Sequence, residues 1–177
     1  MFTDYMESPL GLIECKASDK GITQLIFCGD QKGEVKASEI TDCCKQQLAE
    51  YFAGQRTNFD VKLDAQGTDF QKEVWQCLSD ITFGQTKTYQ DIAKLVNRPK
   101  GSQAVGGANG RNPISIIVPC HRVIGKNGSL TGYAGGLERK LWLLAHEGIA
   151  IKASKTNEAL DIENVIHARQ SKTQFLD

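Results

Sequence analysis

TYQDIAKLVNRPKGSQAVGGAN, residues 88–109, is the stretch on which the reading of the fold turns. Its first part begins at Thr88, places Ile92 and Val96 at helical spacing and stops before Arg98-Pro99. Its second part, Gly101 to about Asn109, is a short helix rich in small residues: Ser102, Ala104, Gly106, Gly107 and Ala108. Two short helices around a tight turn have the form of a helix-turn-helix, and small side chains on the second let its backbone approach a ligand surface. Tight packing against another helix is the competing explanation for the same residues.

The charge distribution favours the first explanation. The 177-residue chain is neutral overall, with 21 Lys/Arg and 21 Asp/Glu. Residues 1–84 hold 8 basic against 14 acidic side chains, a net of −6. Residues 85–126 hold seven basic side chains against Asp91 alone, a net of +6. A basic segment containing two short helices points to a polyanionic partner, although attraction between the two halves would also account for it.

Upstream, Phe2–Glu7, Leu10–Ala17 and Ile22–Cys28 read as three strands of an antiparallel meander, with turns at Pro9-Leu10-Gly11 and Asp19-Lys20-Gly21. From Glu39 the period becomes helical through Ile40, Cys43, Cys44, Leu48, Tyr51 and Phe52, with Gly54 at the C-terminal cap. Gly54 to Gly67 reads as a linker. Thr68 and Gln71 form a capping-box pattern ahead of an apolar face of Phe70, Val74, Cys77, Leu78 and Ile81.

Downstream, the β-branched run Ile114–Val118 reads as a buried strand leading to Pro119-Cys120. Val123-Ile124 and Leu130 flank Lys126-Asn127-Gly128 as a hairpin, a wing beside the helix-turn-helix. Leu137, Leu141, Leu144 and Ala145 mark a last helix stopped by Gly148. Six cysteines without a CxxC pair give weak support for zinc and read as reduced thiols of a cytoplasmic protein. No apolar run reaches the roughly 20 residues of a membrane helix, and the acidic N-terminus lacks a secretory profile.

Cys120 is distinguished by its neighbours His121 and Arg122. A thiol attacks as thiolate, and an adjacent imidazole can take its proton if a carboxylate fixes the other ring nitrogen. His146-Glu147 supplies a candidate carboxylate. A Cys-His pair alone equally describes a small buried core residue. A zinc deaminase is excluded, because Val123 stands where the second cysteine of Pro-Cys-x-x-Cys belongs and no His-x-Glu exists. A cysteine hydrolase remains open, but it gives no reason for the basic helix-turn-helix.

NPISIIVPCHRVI (residues 112–124), TGYAGG (131–136) and LLAHEG (143–148) resemble the O6-alkylguanine-DNA alkyltransferase family over about residues 69–149. The resemblance implies an α/β (α+β) chain: a sheet-plus-helix domain at 1–66, a winged helix-turn-helix domain for DNA binding and alkyl transfer at 67–150, and a peripheral tail at 151–177. It implies a methylated-DNA–protein-cysteine methyltransferase that moves an alkyl group from O6-alkylguanine, and less readily O4-alkylthymine, to its own Cys120. The thioether product is not hydrolysed, so each molecule acts once, and neither a cofactor nor a metal is needed. The partner implied is double-stranded DNA, met by a monomer through the minor groove with the damaged base flipped out.

The same resemblance makes His121 the proton acceptor through a water, Glu147 its orienting carboxylate and Asn112 a brace for the turn. It puts Tyr89, Tyr133, Ala134 and Val123 at the base pocket, and Ser102, Gln103, Ala104, Gly106 and Arg111 on DNA. Ala134 stands where some relatives have a hydroxyl. Gln103 stands where relatives carry an arginine that fills the gap left by the extruded base. A lesion sensor of the same family would lack the cysteine. The alkyl-transfer reading requires the Cys120 sulfur to be ionised and exposed at the floor of a base-sized cavity.

Overall fold

The structure, a computed structural model, describes residues 1–151; the tail read beyond them lies outside the described residues. The chain is a mixture of helices and a small antiparallel sheet. Its backbone contacts divide it into two compact units. Among the described residues, one comprises 1–67 with 113–117, the other 68–112 with 118–151.

In the first unit, β1 (Phe2–Ser8), β2 (Gly11–Ala17) and β3 (Ile22–Phe27) form the expected meander in the order β1-β2-β3. Ser8 pairs with Gly11 across the first turn, and a bulge at Lys16/Ala17 shifts the β2–β3 register. Helix α1 (Glu39–Phe52) starts at Ser38, whose side chain accepts from the Thr41 amide while Thr41 returns a bond to the Ser38 amide. It lies on β1 and β2, with Cys44, Leu48 and Tyr51 fully buried along with Ile13, Cys15 and Ala17 of β2. Cys43, next to Cys44, faces solvent.

Two parts of this unit differ from the sequence reading. The stretch read as a linker is bound to the sheet: the Ile22 amide donates to Lys62 O at 2.8 Å, and the Asp64 amide to Ile22 O at 2.7 Å. Gly21 permits this, since a Cβ there would lie 2.7 Å from the backbone of Lys62 and Leu63. The run 114–118 is not a strand. It makes one bridge, with Leu25 donating to Pro113 O at 2.8 Å and Ser115 donating to Leu25 O at 3.0 Å. It then turns at Ile116, whose φ of 71° is rare for a β-branched residue. The Ile117 amide closes that turn on Ser115 O. Ile114 and Ile116 are buried, and this burial overrides the β propensity of the run.

The second unit carries the helix-turn-helix. Helix α2 (Asp69–Ser79) has the Thr68/Gln71 capping box, and α3 (Tyr89–Leu95) has one from Thr88 and Asp91. Asn97, in the left-handed region at φ 59°, ends α3 while the Arg98 amide bonds back to Ala93 O. Helix α4 (Ser102–Gly110) packs on α2 and α3, and the Trp75 indole donates to Ala108 O at 2.9 Å.

The turn at 126–128 forms, with Asn127 and Gly128 at positive φ and the Gly125 amide bonded to Ser129 O at 2.7 Å. It is not flanked by paired hairpin strands. Instead β5 (Val123–Ile124) runs parallel to β4 (Lys87–Thr88). Leu130 is claimed by a core with Leu141 and Leu144 of α5 (Leu137–His146), which removes the partner the hairpin needed. Among the described residues no helix is long and apolar enough to cross a membrane.

Candidate active site

Cys120 opens a 3₁₀ turn, Cys120–Arg122, immediately after Pro119. Its amide donates to Val118 O at 2.8 Å, and the Asn112 side chain donates to the same carbonyl at 2.8 Å. Asn112 thus braces the turn that presents the sulfur. The Asn109 Nδ2 donates weakly to Cys120 O at 3.4 Å, and its buried Oδ1 has no hydrogen-bond partner among the described residues.

The last turn of α5 supplies the carboxylate. Glu147, at the C-terminal cap, sets Oε2 2.7 Å from His121 Nε2. Arg122 donates from Nε to Glu147 Oε1 at 2.7 Å and from Nη2 to Oε2 at 3.1 Å, and from Nη1 to Ile81 O at 2.6 Å. The His121 and Glu147 side chains have no solvent exposure. Burial alone would raise the Glu147 carboxyl, but the bonds from His121 and Arg122 outweigh it and hold the group at about 2. Burial lowers the His121 imidazole in spite of the carboxylate beside it. A neutral imidazole bonded to a carboxylate carries its hydrogen on Nε2, leaving Nδ1 with its lone pair. That Nδ1 is buried and finds no partner among the described residues.

A cavity of about 560 Å³ opens on this unit, lined by Tyr89, Ser102, Gln103, Gly106, Tyr133 and Ala134 among others. A second hollow on the other side of Gln103 is lined by Ala104, Gly107 and Arg111 together with Thr68 and Phe70. The predicted contact residues of α4 therefore divide between two adjacent depressions, and Gln103 borders both. The Tyr89 hydroxyl donates to Thr131 O at 3.2 Å, and burial raises its pKa, so it remains a proton donor.

Two expectations need correction. Cys120 does not lie exposed on the cavity floor: the residue is 3 % accessible and is not among those lining the cavity. Burial therefore raises the thiol, an effect opposed by the Asn112 hydrogen bond and the Lys140 charge. Val123 is also fully buried and off the cavity wall; its carbonyl accepts from Lys140. Three polar residues of the site escaped the sequence reading: Asn109, Arg122 in its role on Glu147, and the buried Lys140.

Two family models match the chain. The one described as "6-O-methylguanine DNA methyltransferase, DNA binding domain" matches residues 69–149, and the "ribonuclease-like domain" of the same proteins matches residues 1–65. A methylated-DNA–protein-cysteine methyltransferase of Methanosarcina acetivorans is 50% identical over 154 residues, spanning 84% of this chain and 99% of that one. The chain belongs to the 6-O-methylguanine DNA methyltransferase family.

Solved structures of the family agree. The Mycobacterium tuberculosis OGT crystallised in complex with DNA superposes with a TM-score of 0.76 at 41% identity, covering 84% of this chain and 93% of that one. An O6-methylguanine DNA methyltransferase from Methanococcus jannaschii gives 0.63 at 30% identity, covering 90% and 100%. Methyltransferase domains of this family thus account for both the sheet-bearing and the helix-turn-helix parts of the chain.

Proposed function

We propose that the protein repairs alkylated DNA by moving the alkyl group from O6-alkylguanine to its own Cys120, with O4-alkylthymine as a lesser substrate. The observation that carries this reading is the buried line from Glu147 through His121 to a bare Nδ1, one residue from Cys120, in the same unit as a cavity of about 560 Å³.

In the proposed reaction the Cys120 S–H proton passes through a water to His121 Nδ1, and Glu147 stabilises the imidazolium. The thiolate attacks the sp³ alkyl carbon. An S–C bond forms as the C–O6 bond breaks, and its electron pair goes to the guanine. Tyr89, a donor at the cavity wall, offsets that charge by hydrogen bonding to the leaving base. The thioether is a poor leaving group, so one molecule of protein repairs one lesion.

The target atom is shielded in a duplex, so the nucleotide rotates out into the cavity bordered by Tyr133 and Ala134. Helix α4 meets the minor groove through Ser102, Gln103, Ala104 and Gly106, with Arg111 on the phosphates, and residues 67–150 form the working domain. The protein acts as a monomer. Its six cysteines are all unpaired, in keeping with a reducing cytoplasm.

The test is incubation with an oligonucleotide bearing O6-methylguanine, followed by intact and peptide mass spectrometry. A 1:1 gain of one methylene mass on the Cys120 peptide, absent in Cys120→Ser, is expected. Binding without mass change would instead mean a lesion sensor, and repeated turnover a hydrolase.

A further inference from the structure

Asn109 is a buried amide on the cavity wall with one end unpaired. It lies in the last turn of α4, is 3 % accessible, and lines the cavity together with Gly106, Tyr133 and Ala134. Its Nδ2 donates to Cys120 O, 3.4 Å away. A carbonyl only accepts, so the NH2 end of the amide must face it, and this settles which way the group is turned. Oδ1 is the end left over, and it has no hydrogen-bond partner among the described residues. A buried acceptor without a donor is costly, and a ligand site is where such a group is retained.

Neighbouring polar groups on the same wall are already engaged. The Tyr89 hydroxyl donates to Thr131 O, and Ser102 Oγ donates to Gln90 Oε1 at 2.8 Å. Thr131 O and Gly132 O accept from Lys140 Nζ at 2.9 and 3.4 Å. Asn109 Oδ1 is thus an acceptor lacking its donor, on a side chain bonded to the backbone of the nucleophile.

The two alkylated bases differ in the hydrogen they could bring to it. Alkylation at O6 removes the hydrogen from N1 of guanine, and N3 and N7 carry none, so the 2-amino group is the only donor of that base. Alkylation at O4 removes the N3 hydrogen of thymine, and O2 only accepts, so that base donates nothing. O6 and the amino group share one edge of guanine, on either side of N1. A base that turns its O6-alkyl group toward Cys120 presents its amino group on the same side.

We propose that Asn109 is a specificity-determining residue, whose Oδ1 accepts the 2-amino group of O6-alkylguanine and so favours that base over O4-alkylthymine. This rests on the repair reading for the identity of the flipped base. Cys120 and Asn109 are both 3 % accessible, so the opening that lets an alkyl group reach the sulfur also uncovers the amide bonded to the same residue.

The test measures single-turnover transfer from two oligonucleotides, one bearing O6-methylguanine and the other O6-methylhypoxanthine, the same base without its amino group. Wild type should prefer O6-methylguanine roughly tenfold or more, because a site built for a hydrogen bond rejects the analogue that lacks it. Asn109→Ala should cut that ratio about fivefold or more. A side chain that only braces Cys120 O would slow both substrates alike, and an unchanged ratio overturns the proposal. Affinities for the same oligonucleotides are measured in parallel on Cys120→Ala with and without Asn109→Ala. If wild type transfers nothing while the affinity preference for the amino base still vanishes with Asn109, the repair reading has failed and the base-reading role stands. If neither transfer nor preference is seen, both fail. Should Asn109→Ala not fold, the Asn109 side-chain amide of 15N-labelled Cys120→Ala decides by NMR. Its resonances move about twofold further or more with the O6-methylguanine duplex if the proposal holds, and equally with both duplexes if it does not.

Discussion

His121 Nε2 lies 2.7 Å from Glu147 Oε2, and the same carboxylate grips Arg122 through two further bonds of 2.7 and 3.1 Å. One buried carboxylate therefore holds both the imidazole and the guanidinium. Replacing it by Glu147→Gln leaves the Arg122 guanidinium without its counter-ion, and removing one partner of a buried pair costs about 3–5 kcal/mol. Methyl transfer should slow at least tenfold, because the imidazolium loses its stabilising charge. Urea unfolding and single-turnover rates measure the two effects. Loss of stability with an unchanged rate would remove Glu147 from the mechanism.

The same group sets the acid limit. Glu147 is held at about 2 in the folded protein against an ordinary 4.5. A depressed carboxylate contributes stability that is complete above the unfolded value and is lost as pH falls toward the folded one. The expected window is therefore pH 4.5 down to 2, with a loss of roughly 3 kcal/mol from this residue. Denaturant midpoints at pH 6, 4 and 3 should fall more steeply for wild type than for Glu147→Gln. Parallel slopes would show that another group governs acid unfolding.

Gln103 borders both depressions of α4. Glutamine is uncharged and shorter than arginine, so, on the proposed reading in which this residue meets DNA at the flipped base, an arginine would fill the vacated space more fully. Gln103→Arg is expected to raise duplex affinity and to speed repair of duplex several-fold, with single strands little changed. Equal rates on both substrates before and after the substitution would contradict this.

Gly106 faces the Tyr89 ring across the cavity, and an added Cβ would meet that ring at 3.9 Å, an ordinary contact. Gly106→Ala should stabilise α4 by about 0.5–1 kcal/mol through helix propensity. The methyl narrows the cavity, so transfer from O6-benzylguanine should fall several-fold more than transfer from O6-methylguanine. Thermal unfolding and paired single-turnover rates check both statements.

What sequence could reveal here depended on range. The three strands, the capping box at Thr68, the helix start at Thr88 and the C-terminal helix follow from local patterns, and each forms within a residue or so of its expected bounds. The run 114–118 misled because β-branched residues favour strands only where neighbours leave the backbone free to extend; here packing turns it at Ile116. The burial of Cys120 was one of two readings left open, since accessibility depends on residues distant in sequence. Lys140 could have been noticed: with Leu137, Leu141 and Leu144 on one helical face, a lysine among them points inward. Arg122 offered no such signal, because its role depends on where Glu147 arrives from 25 positions away.

The bridge between Leu25 and Ile114 has a consequence for synthesis. A nascent chain that has emerged only to residue 67 holds a sheet whose third strand is met at Ile22 by residues 62–64 but at Leu25 by nothing, with the Leu25 amide and carbonyl waiting for Pro113 and Ser115. The amino-terminal half thus reaches its final form only after the ribosome has delivered the middle of the message, a few codons short of the nucleophile itself.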